Sequence, residues 1–340
     1  MAQFGVALIG AGMIARTHVL ALSELKSRCQ LRAIVSTRPA RAEYLSEFYQ
    51  GSSLQFTNNL SDVLKNSAVK FVIVATPPSV RIDLIEALAK AGKHILLEKP
   101  LARNVDESRQ VVEICKQANV TLGVLFQHRM WDTSIAAASM VASGELGHIG
   151  LVEIAAPLWR PQSYYDELDR GTYDRDGGGV MITQAIHTID LALSLAGPVT
   201  RVQAMTATTP LHKMEAEDFA VAGLQFLSGA VGSLVASTAT FPQGKESISL
   251  HGENGTLHLR DDAMEIFWRD GGSTRHNSDV ESTDSIVPKY EWHKRMIENF
   301  IDSIEQGSAP MVTGSEALGS QRLIQAIEES SRAGSSVTVA

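Results

Sequence analysis

The pattern of apolar residues predicts two domains of different class: an α/β domain built on a doubly wound parallel sheet, then an α+β domain with a large, mostly antiparallel, open-faced sheet. From Phe4 to about Val124, short apolar runs alternate with longer amphipathic stretches, as strands alternate with crossover helices in a parallel sheet. Beyond about Ser134, period-2 runs flank tight turns such as Glu253-Asn254-Gly255, which indicate hairpins. The 340 residues are enough for two domains. We expect the boundary to separate residues 1–123 from residues 124–340.

The α/β part is predicted to contain five buried strands connected by four helices. The strands are expected at residues 4–9, 30–35, 70–75, 94–97 and 120–125, and the helices at 13–25, 41–49, 80–91 and 105–117. Crossover connections of this kind are right-handed, so the strands are expected to form one parallel sheet.

The α+β part is predicted to contain a glycine-led helix at 177–196, followed by hairpin strands and two closing helices. The strands are expected at 219–226, 230–238, 247–251, 256–260 and 264–268, and the closing helices at 289–306 and 314–333. The polar stretch from Gly271 to Asp284 is predicted to be a loop.

Composition and charge exclude several classes of function. The net charge of −8 disfavours nonspecific binding of nucleic acid, because such binding depends on neutralising phosphates. No apolar run approaches the ~18 residues that cross a bilayer, and the N-terminus enters a strand directly, so we expect neither a membrane span nor a signal peptide. The two cysteines, Cys29 and Cys115, lack metal-ligand and redox spacing, and the ten histidines form no HxxxH or HxH pair. We therefore expect a soluble cytoplasmic protein without a metal site.

The first predicted strand runs into Gly10-Ala11-Gly12-Met13-Ile14-Ala15, a G-x-G-x-x-A turn that opens a helix. The first glycine allows a tight turn, the second lets the backbone approach a pyrophosphate, and the helix N-terminus attracts the phosphates. This position, at the first strand–helix junction of a doubly wound pattern, indicates a Rossmann domain that binds a dinucleotide. Gly10, Gly12, Met13 and Ile14 are the expected contacts.

The end of the second strand, Ser36-Thr37-Arg38, bears on the choice of dinucleotide. The acid that would hold the ribose 2′-hydroxyl of NAD is missing, and two hydroxyls with an arginine suit a 2′-phosphate. The pattern therefore favours NADP over NAD. The alternative is a solvated turn with an exposed arginine.

Two further positions carry candidate chemistry, and the residues alone leave both open. Lys99 follows the carboxyl end of a buried strand, where ligands bind in open α/β sheets, and Pro100 restricts the backbone there and allows a cis peptide. His187 lies on the helix led by Gly177-Gly178-Gly179, on a polar face shared with Thr183, Gln184 and Asp190. A lysine after a strand is ordinarily solvated, and a histidine among apolar helix residues is more often part of the core.

Several segments together resemble the glucose–fructose oxidoreductase/inositol dehydrogenase (Gfo/Idh/MocA) family: the G-x-G-x-x-A turn, Ala75-Thr76-Pro77-Pro78, Ala91-Gly92-Lys93-His94 and Glu98-Lys99-Pro100. The resemblance implies that Lys99 is the active-site lysine and His187, in the G-G-G…H-x-x-D segment, the catalytic histidine. It also implies cofactor contacts from Thr76, Pro77, Glu98, Lys99 and Gln127, and assembly into dimers or tetramers through the open sheet face.

The sequence departs from the family pattern at two positions. Arg81 stands where relatives often carry a histidine. Thr183 stands where many relatives have an aspartate four residues before the catalytic histidine, so it becomes a candidate catalytic and substrate contact. Thr183, Gln184 or Asp190 could orient His187.

The expected substrate contacts are polar and aromatic residues around these positions. Arginine offers forked donors for hydroxyls, carboxylates or phosphates, and an aromatic ring offers a flat face for a sugar. Besides Lys99, Thr183, Gln184 and His187, the candidates are Arg129, Arg160, Tyr165 and Arg170. For each loop residue, simple solvation is the alternative.

The resemblance implies an oxidoreductase that transfers a hydride between NADP, or else NAD, and a secondary hydroxyl of a sugar, cyclitol or sugar derivative. Two alternatives stay open: an NAD-dependent glycosidase of the same fold, and a non-catalytic, nucleotide-sensing regulator. The presence of both Lys99 and His187 argues against the regulator.

Overall fold

The computed structural model describes residues 4–261, 263–277 and 290–340. The strands in these ranges are β1 (Phe4–Ile9), β2 (Cys29–Val35), β3 (Gln55–Thr57), β4 (Val69–Val74), β5 (His94–Glu98), β6 (Leu122–Leu125), β7 (Ile149–Pro157), β8 (Val199–Ala207), β9 (Phe219–Phe226), β10 (Val231–Ser237), β11 (Ser247–Gly252), β12 (Gly255–Arg260), β13 (Ala263–Trp268), β14 (Ser273–Asn277) and β15 (Val337–Thr338). The helices are α1 (Ala15–Glu24), α2 (Pro39–Ala42), α3 (Ser61–Leu64), α4 (Arg81–Lys90), α5 (Val105–Gln117), α6 (Asp132–Ser143), α7 (Gln162–Tyr165), α8 (Ile186–Ala196), α9 (Tyr290–Gln306) and α10 (Gly314–Ala333).

The chain divides into two compact units, and neither is a single continuous stretch. Among the described residues, unit 1 takes 4–102, 106–127 and 290–317, and unit 2 takes 103–105, 128–277 and 318–340. None of the helices in the described ranges is both long and apolar enough to span a membrane.

Unit 1 contains a six-stranded sheet in the order β3-β2-β1-β4-β5-β6, and every neighbouring pair is parallel. The strand order reverses between β1 and β4, which is the point where doubly wound sheets bind ligands. The middle strands are buried almost end to end because helices cover both faces of such a sheet. The predicted α/β class is confirmed.

Parts of unit 1 differ from the sequence prediction. The helix expected at 41–49 is instead α2 followed by a 3₁₀ segment, Glu43–Phe48. Strand β3 was not predicted, because three residues carry too little periodicity to be recognised. Helix α9 packs against α1 within this unit, although about 270 residues separate them along the chain.

Unit 2 contains a nine-stranded sheet in the order β14-β13-β12-β11-β7-β10-β9-β8-β15. Its pairs are antiparallel except for β7 and β10, which run parallel. Helix α8 packs on β7 and β11 and covers one face of the sheet. The prediction of an α+β domain with a mostly antiparallel sheet is confirmed.

Strands β7 and β8, helix α6 and the two edge strands of this sheet, β14 and β15, were not predicted. The loop predicted from Gly271 to Asp284 is wrong at its start, because residues Ser273–Asn277 pair with β13 as an edge strand. An edge strand needs no apolar residues to make backbone hydrogen bonds, so its polar sequence resembled a loop. Residues 278–284 of that predicted loop, and Lys289 of the predicted helix 289–306, lie outside the described residues.

The face of the unit 2 sheet opposite α8 carries exposed apolar side chains in register across several strands. Leu151 of β7 pairs with Val231 of β10, and Val235 of β10 pairs with Val221 of β9. Met205 of β8 continues the second row. An exposed apolar face of this kind is typical of an interaction surface.

Candidate active site

In unit 1, the glycine turn after β1 has the geometry that a pyrophosphate needs. Gly10 has φ +107°, and a Cβ on it would lie 2.6 Å from the carbonyl oxygen of Ala75, so this position requires glycine. A Cβ on Gly12 would meet nothing within 4 Å, so the space beside the turn is open. Helix α1 starts just after the turn, and Ile14 gives it no side-chain cap. The uncapped helix start, in the turn that includes Met13, therefore fits an anionic group.

The end of β2 presents polar side chains near this turn. The backbone N–H of Arg38 donates to Ser36 Oγ at 3.2 Å, and the Ser36 N–H donates to the Thr57 carbonyl. Thr37 and Arg38 are exposed. The Arg38 guanidinium is thus accessible to a ligand from solvent.

The Glu98-Lys99-Pro100 segment follows β5 in the same unit. The Lys99–Pro100 peptide is cis, and the Lys99 side chain is half-buried. The Glu98 carboxylate is buried and accepts a hydrogen bond from His18 Nε2 of α1 at 2.7 Å. Glu98 was predicted as a cofactor contact, and the structure shows that one of its oxygens bonds within the protein. Gln127, another predicted cofactor contact, is buried just beyond β6.

His18, Glu98 and His293 form a buried cluster that the sequence analysis missed, because the three residues come from α1, β5 and α9. Burial alone would raise the pKa of Glu98, but the hydrogen bond from His18 and the nearby His293 outweigh burial and hold that pKa well below its usual range. Burial lowers the pKa of His18. The His18 imidazole therefore hydrogen bonds to an ionised Glu98 carboxylate inside unit 1.

Arg81 holds the two loops that carry Thr76 and Lys99. Its guanidinium is buried and donates to the carbonyl oxygens of Thr76, at 2.7 and 3.2 Å, Pro100 and Leu101. Burial lowers the pKa of Arg81 to about 10, so it stays charged at neutral pH. At this departure from the family pattern, the arginine links the ends of β4 and β5.

In unit 2, the glycine triplet allows close contact with the protein's own backbone. A Cβ on Gly179 would lie 1.7 Å from the Glu217 carbonyl oxygen, and one on Gly177 would lie 2.4 Å from the Arg103 carbonyl oxygen. The Glu217 carboxylate accepts hydrogen bonds from the N–H groups of Gly179 and Met181, at 3.0 and 3.1 Å. The chain then makes a π-helical turn, Met181–Ala185, and continues as α8. A π-helical turn inside a helix is frequent at functional sites.

His187 is buried in the first turn of α8, and its ring stacks on that of His128 with 4.7 Å between centroids. Asp190, one turn further along α8, binds Arg129 through both carboxylate oxygens. Arg129, predicted as a substrate contact, thus has a protein partner. The Thr183 hydroxyl can donate its one proton either to the Gly179 carbonyl, at 2.5 Å, or to the neighbouring Gln184 Oε1.

The predicted substrate contacts Arg160, Arg170 and Gln184 lie around Tyr164 in unit 2. The Tyr164 hydroxyl accepts hydrogen bonds from Gln184 Nε2 at 3.2 Å and Arg170 Nη1 at 3.3 Å. The guanidinium of Arg170 lies 4.7 Å from the Tyr164 ring centroid, and that of Arg160 lies 5.8 Å from it. Tyr165 points elsewhere: it is buried, and its hydroxyl hydrogen bonds with Thr238 at 2.6 Å. The accessible ring of the pair is therefore Tyr164.

A doubly wound parallel sheet whose first strand is followed by a glycine turn and an uncapped helix is typical of a dinucleotide-binding protein. Comparison with protein families gives the family. A family model described as "Oxidoreductase family, NAD-binding Rossmann fold" matches residues 4–126, and one described as "Oxidoreductase family, C-terminal alpha/beta domain" matches residues 138–339. The chain belongs to the Gfo/Idh/MocA family and is an NAD-binding oxidoreductase, as the sequence resemblance implied.

Several characterised relatives match over nearly the whole chain. The inositol 2-dehydrogenase of Rhizobium meliloti is 27% identical over 335 residues, which are 95% of each chain. The crystal structure of the WlbA dehydrogenase of Bordetella pertussis, in complex with NADH and UDP-GlcNAcA, is similar with a TM-score of 0.84 and 30% identity over 99% of both chains. Levoglucosan dehydrogenase in complex with NADH and levoglucosan has the same fold, with a TM-score of 0.88 and 22% identity over 99% of both chains.

Proposed function

We propose that this oxidoreductase is an NAD(P)-dependent dehydrogenase of a secondary hydroxyl on a sugar, cyclitol or sugar derivative. The observation that carries the proposal is the position of His187. It is buried at the start of a glycine-led helix whose preceding turn includes Gln184, and Gln184 bonds to the arginine-flanked Tyr164. The names of the relatives, among them an inositol dehydrogenase and a levoglucosan dehydrogenase, support a polyhydroxylated substrate.

In this proposal, His187 acts as the general base that takes the proton of the substrate hydroxyl. The Lys99 ammonium stabilises the negative charge that grows on the substrate oxygen. The nicotinamide supplies the hydride acceptor, and the protein supplies orientation and charge. Thr76 and Pro77 are proposed to contact the nicotinamide ribose, and Gly10, Gly12, Met13 and Ile14 the pyrophosphate.

The substrate is proposed to be anionic, because arginines surround the accessible tyrosine ring. Arg160 uses one guanidinium nitrogen on the carbonyl oxygen of Trp159 and on Gln243 Oε1, and no carboxylate pairs with it among the described residues. Arg170 already pairs with Glu167 at 2.6 Å. The Arg160 guanidinium is therefore the one proposed to pair with the negative charge of a sugar acid or a phosphate.

A substrate screen tests the proposed reaction. Purified protein with NAD⁺ or NADP⁺ is incubated with cyclitols, sugar acids, nucleotide sugars and neutral sugars, and reduced nicotinamide is followed by absorbance. We expect steady formation of reduced cofactor and an oxidised product, and the loss of roughly 10²–10⁴ in kcat in His187→Ala. Release of free sugar without net cofactor reduction would identify a glycosidase instead, and cofactor binding without turnover of any substrate would identify a regulator.

The preferred cofactor is proposed to be NADP rather than NAD. Ser36, Thr37 and the exposed Arg38 offer two hydroxyls and a positive charge where an acid would repel a 2′-phosphate. A hydrogen bond to a charged group contributes about 1.5–3 kcal/mol, which is roughly ten- to a hundredfold in affinity.

Arg38→Ala is therefore expected to raise the Kd for NADPH by roughly ten- to a hundredfold and to leave the Kd for NADH almost unchanged. Fluorescence titration of both cofactors measures this. The exposed Arg41→Ala on α2 serves as the control. Equal losses for both cofactors would show that Arg38 stacks on the adenine, and tighter binding of NADH by the wild type would contradict the preference.

Two further properties follow the same line. The exposed apolar face of the unit 2 sheet is proposed to pair with a second copy, in a homodimer or homotetramer. The two cysteines of the sequence, Cys29 and Cys115, are both buried in the core, as packing residues are in a reducing compartment, and we propose a cytoplasmic location.

A further inference from the structure

Three aromatic rings of unit 2 are stacked in a row that ends at His187. The ring of His128 lies 3.9 Å from that of Trp131, between centroids, with an interplanar angle of 30°. The His128 ring also lies 4.7 Å from that of His187, between centroids, with an interplanar angle of 27°. The small interplanar angles are those of stacked rings, and the rings of Trp131 and His128 are the closer pair. The row joins the segment after β6 to the start of α8.

The position of this row is set by an ion pair beside it. Arg129 Nε and Nη2 donate to the two carboxylate oxygens of Asp190 at 2.7 and 2.8 Å. The Asp190 side chain is 1% exposed, so the pair is shielded from solvent. A bidentate pair of this kind fixes the orientation of both groups as well as their distance.

The spacing of the residues along the chain links the Arg129–Asp190 ion pair to the row of stacked rings. His187 and Asp190 are three residues apart on α8, so their side chains leave the same face of the helix. His128 and Arg129 are adjacent in the 3₁₀ turn Gln127–Met130. The bond from Arg129 to Asp190 therefore brings the neighbouring His128 over His187.

We propose that the ring row of Trp131 and His128, held by the Arg129–Asp190 pair, sets the orientation of the His187 imidazole. The proposal rests on the proposed role of His187 as general base. The χ2 angle of a histidine is broad and weakly restrained by its own backbone, so a free imidazole samples orientations that cannot reach the substrate proton. A flat ring against its face restricts rotation about χ2. His128 and Trp131 are thus positioning residues for the His187 imidazole.

A pair of substitutions at position 128 tests the proposal. His128→Phe keeps a flat ring, whereas His128→Leu keeps an apolar side chain but removes the ring. Because small misplacement of a catalytic group can cost up to about a hundredfold in rate, we expect His128→Leu to lower kcat by roughly ten- to a hundredfold with little change in KM. His128→Phe should recover most of that loss. The exposed His276→Leu on β14 is the matched control, with kcat unchanged.

A wild-type kcat in His128→Leu would overturn the proposal. Equal losses in His128→Leu and His128→Phe would also overturn it, because the imidazole nitrogens and not the flat ring would then be required. Thermal unfolding of each variant shows whether a loss of kcat comes from a loss of fold.

A second measurement does not depend on turnover. In protein with isotopically labelled histidine, the ring protons of His187, assigned with the His187→Asn variant, should shift upfield because they lie over the face of His128. We expect His128→Leu to move them back and His128→Phe to keep them upfield. Unchanged His187 signals in His128→Leu would refute the stack itself. If the shifts are present but the wild type oxidises no sugar of the panel, the proposed function fails and not the stack.

Discussion

Single residues in unit 1 carry the charges around the proposed nicotinamide site. Lys99 and Arg81 are cations near the ends of β4 and β5, and they differ in burial and in their place in the structure. Arg81 is buried and bonds to three backbone carbonyls, so its charge supports the loops. Lys99 is half-buried and is the residue proposed to meet the substrate oxygen. The two positions therefore call for different substitutions.

Lys99→Met is expected to lower kcat by about two orders of magnitude, because the developing alkoxide loses its positive partner. Lys99→Arg should recover little, since a guanidinium is bulkier and cannot release a proton near neutral pH. Steady-state kinetics with the substrate found in the screen measures both variants, and cofactor titration checks that binding persists. Full activity in Lys99→Arg would show that only a positive charge is required.

The His18–Glu98 pair gives unit 1 a pH-dependent contribution to stability. Burial lowers the pKa of His18 below its ordinary value of 6.5, so the unfolded chain binds the proton first as pH falls. Stability from this group is present above about pH 6.5 and is lost below it, by at most about 1.4 kcal/mol per pH unit. The lowered pKa of Glu98 acts in the same direction at more acid pH.

His18→Gln tests this contribution, because glutamine can still donate a hydrogen bond to Glu98 but does not titrate. The free energy of unfolding in urea, measured at several values from about pH 7 to about pH 5, should fall more steeply for the wild type than for the variant. Parallel curves for the two proteins would show that His18 does not titrate on unfolding.

Among the elements of unit 2, helix α8, which carries His187, has contacts both just before its first residue and one turn after it. Glu217 accepts hydrogen bonds from the backbone at its start, and Asp190 binds Arg129 one turn later. The backbone of Glu217 lies so close to Gly179 that a residue with a side chain would clash there, so this position requires glycine. The helix start is thereby fixed by contacts on two sides within unit 2.

Removing one partner of the Arg129–Asp190 pair should therefore be costly. Arg129→Met leaves a buried carboxylate without its counter-ion, and we expect a loss of about 3–5 kcal/mol in the free energy of unfolding. The double variant Arg129→Met/Asp190→Leu should recover much of that loss, because no buried charge remains. Urea unfolding of both variants measures the difference. A double variant that is no more stable than Arg129→Met would show that the loss comes from packing and not from charge.

For the whole molecule, the proposed homodimer or homotetramer rests on the exposed face of the unit 2 sheet. Its apolar side chains include Leu151, Met205, Val231, Val235 and Phe267, each at least 39% exposed. Burying such a surface between two copies would remove apolar area from water at about 25 cal/mol per Å². A single charge at its centre should therefore oppose association.

Val231→Glu is expected to shift the protein from an oligomer toward the monomer, measured by light scattering on a sizing column. Val231 pairs with Leu151 in the middle of the sheet, so an ionised carboxylate there would be desolvated on association. Leu227→Glu, in the turn after β9 and 70% exposed, is the matched control and should leave the mass unchanged. A wild-type protein that elutes as a monomer would contradict the proposed assembly.

The class of both units and the bounds of their most regular elements can be read from the order of the amino acids alone. The buried strands of the parallel sheet are short, mostly apolar runs. Helices α5 and α10 have the expected bounds because their helical periodicity is long. The glycine turn was recognisable from the sequence because its function depends on the backbone conformation of neighbouring residues. The spacing of the glycines indicates that conformation. The family followed from several such local segments.

Which residues far apart in the chain come into contact is known from the folded chain and not from local patterns. The packing of α9 on α1, the His18–Glu98–His293 cluster and the row from Trp131 to His187 join residues far apart in the chain. It also showed that Gly177 and Gly179 admit the protein's own backbone, and that Tyr164 and not Tyr165 is accessible. Local periodicity records whether a side chain faces the core or solvent. It does not record which side chain it meets there, because that depends on the path of the whole chain.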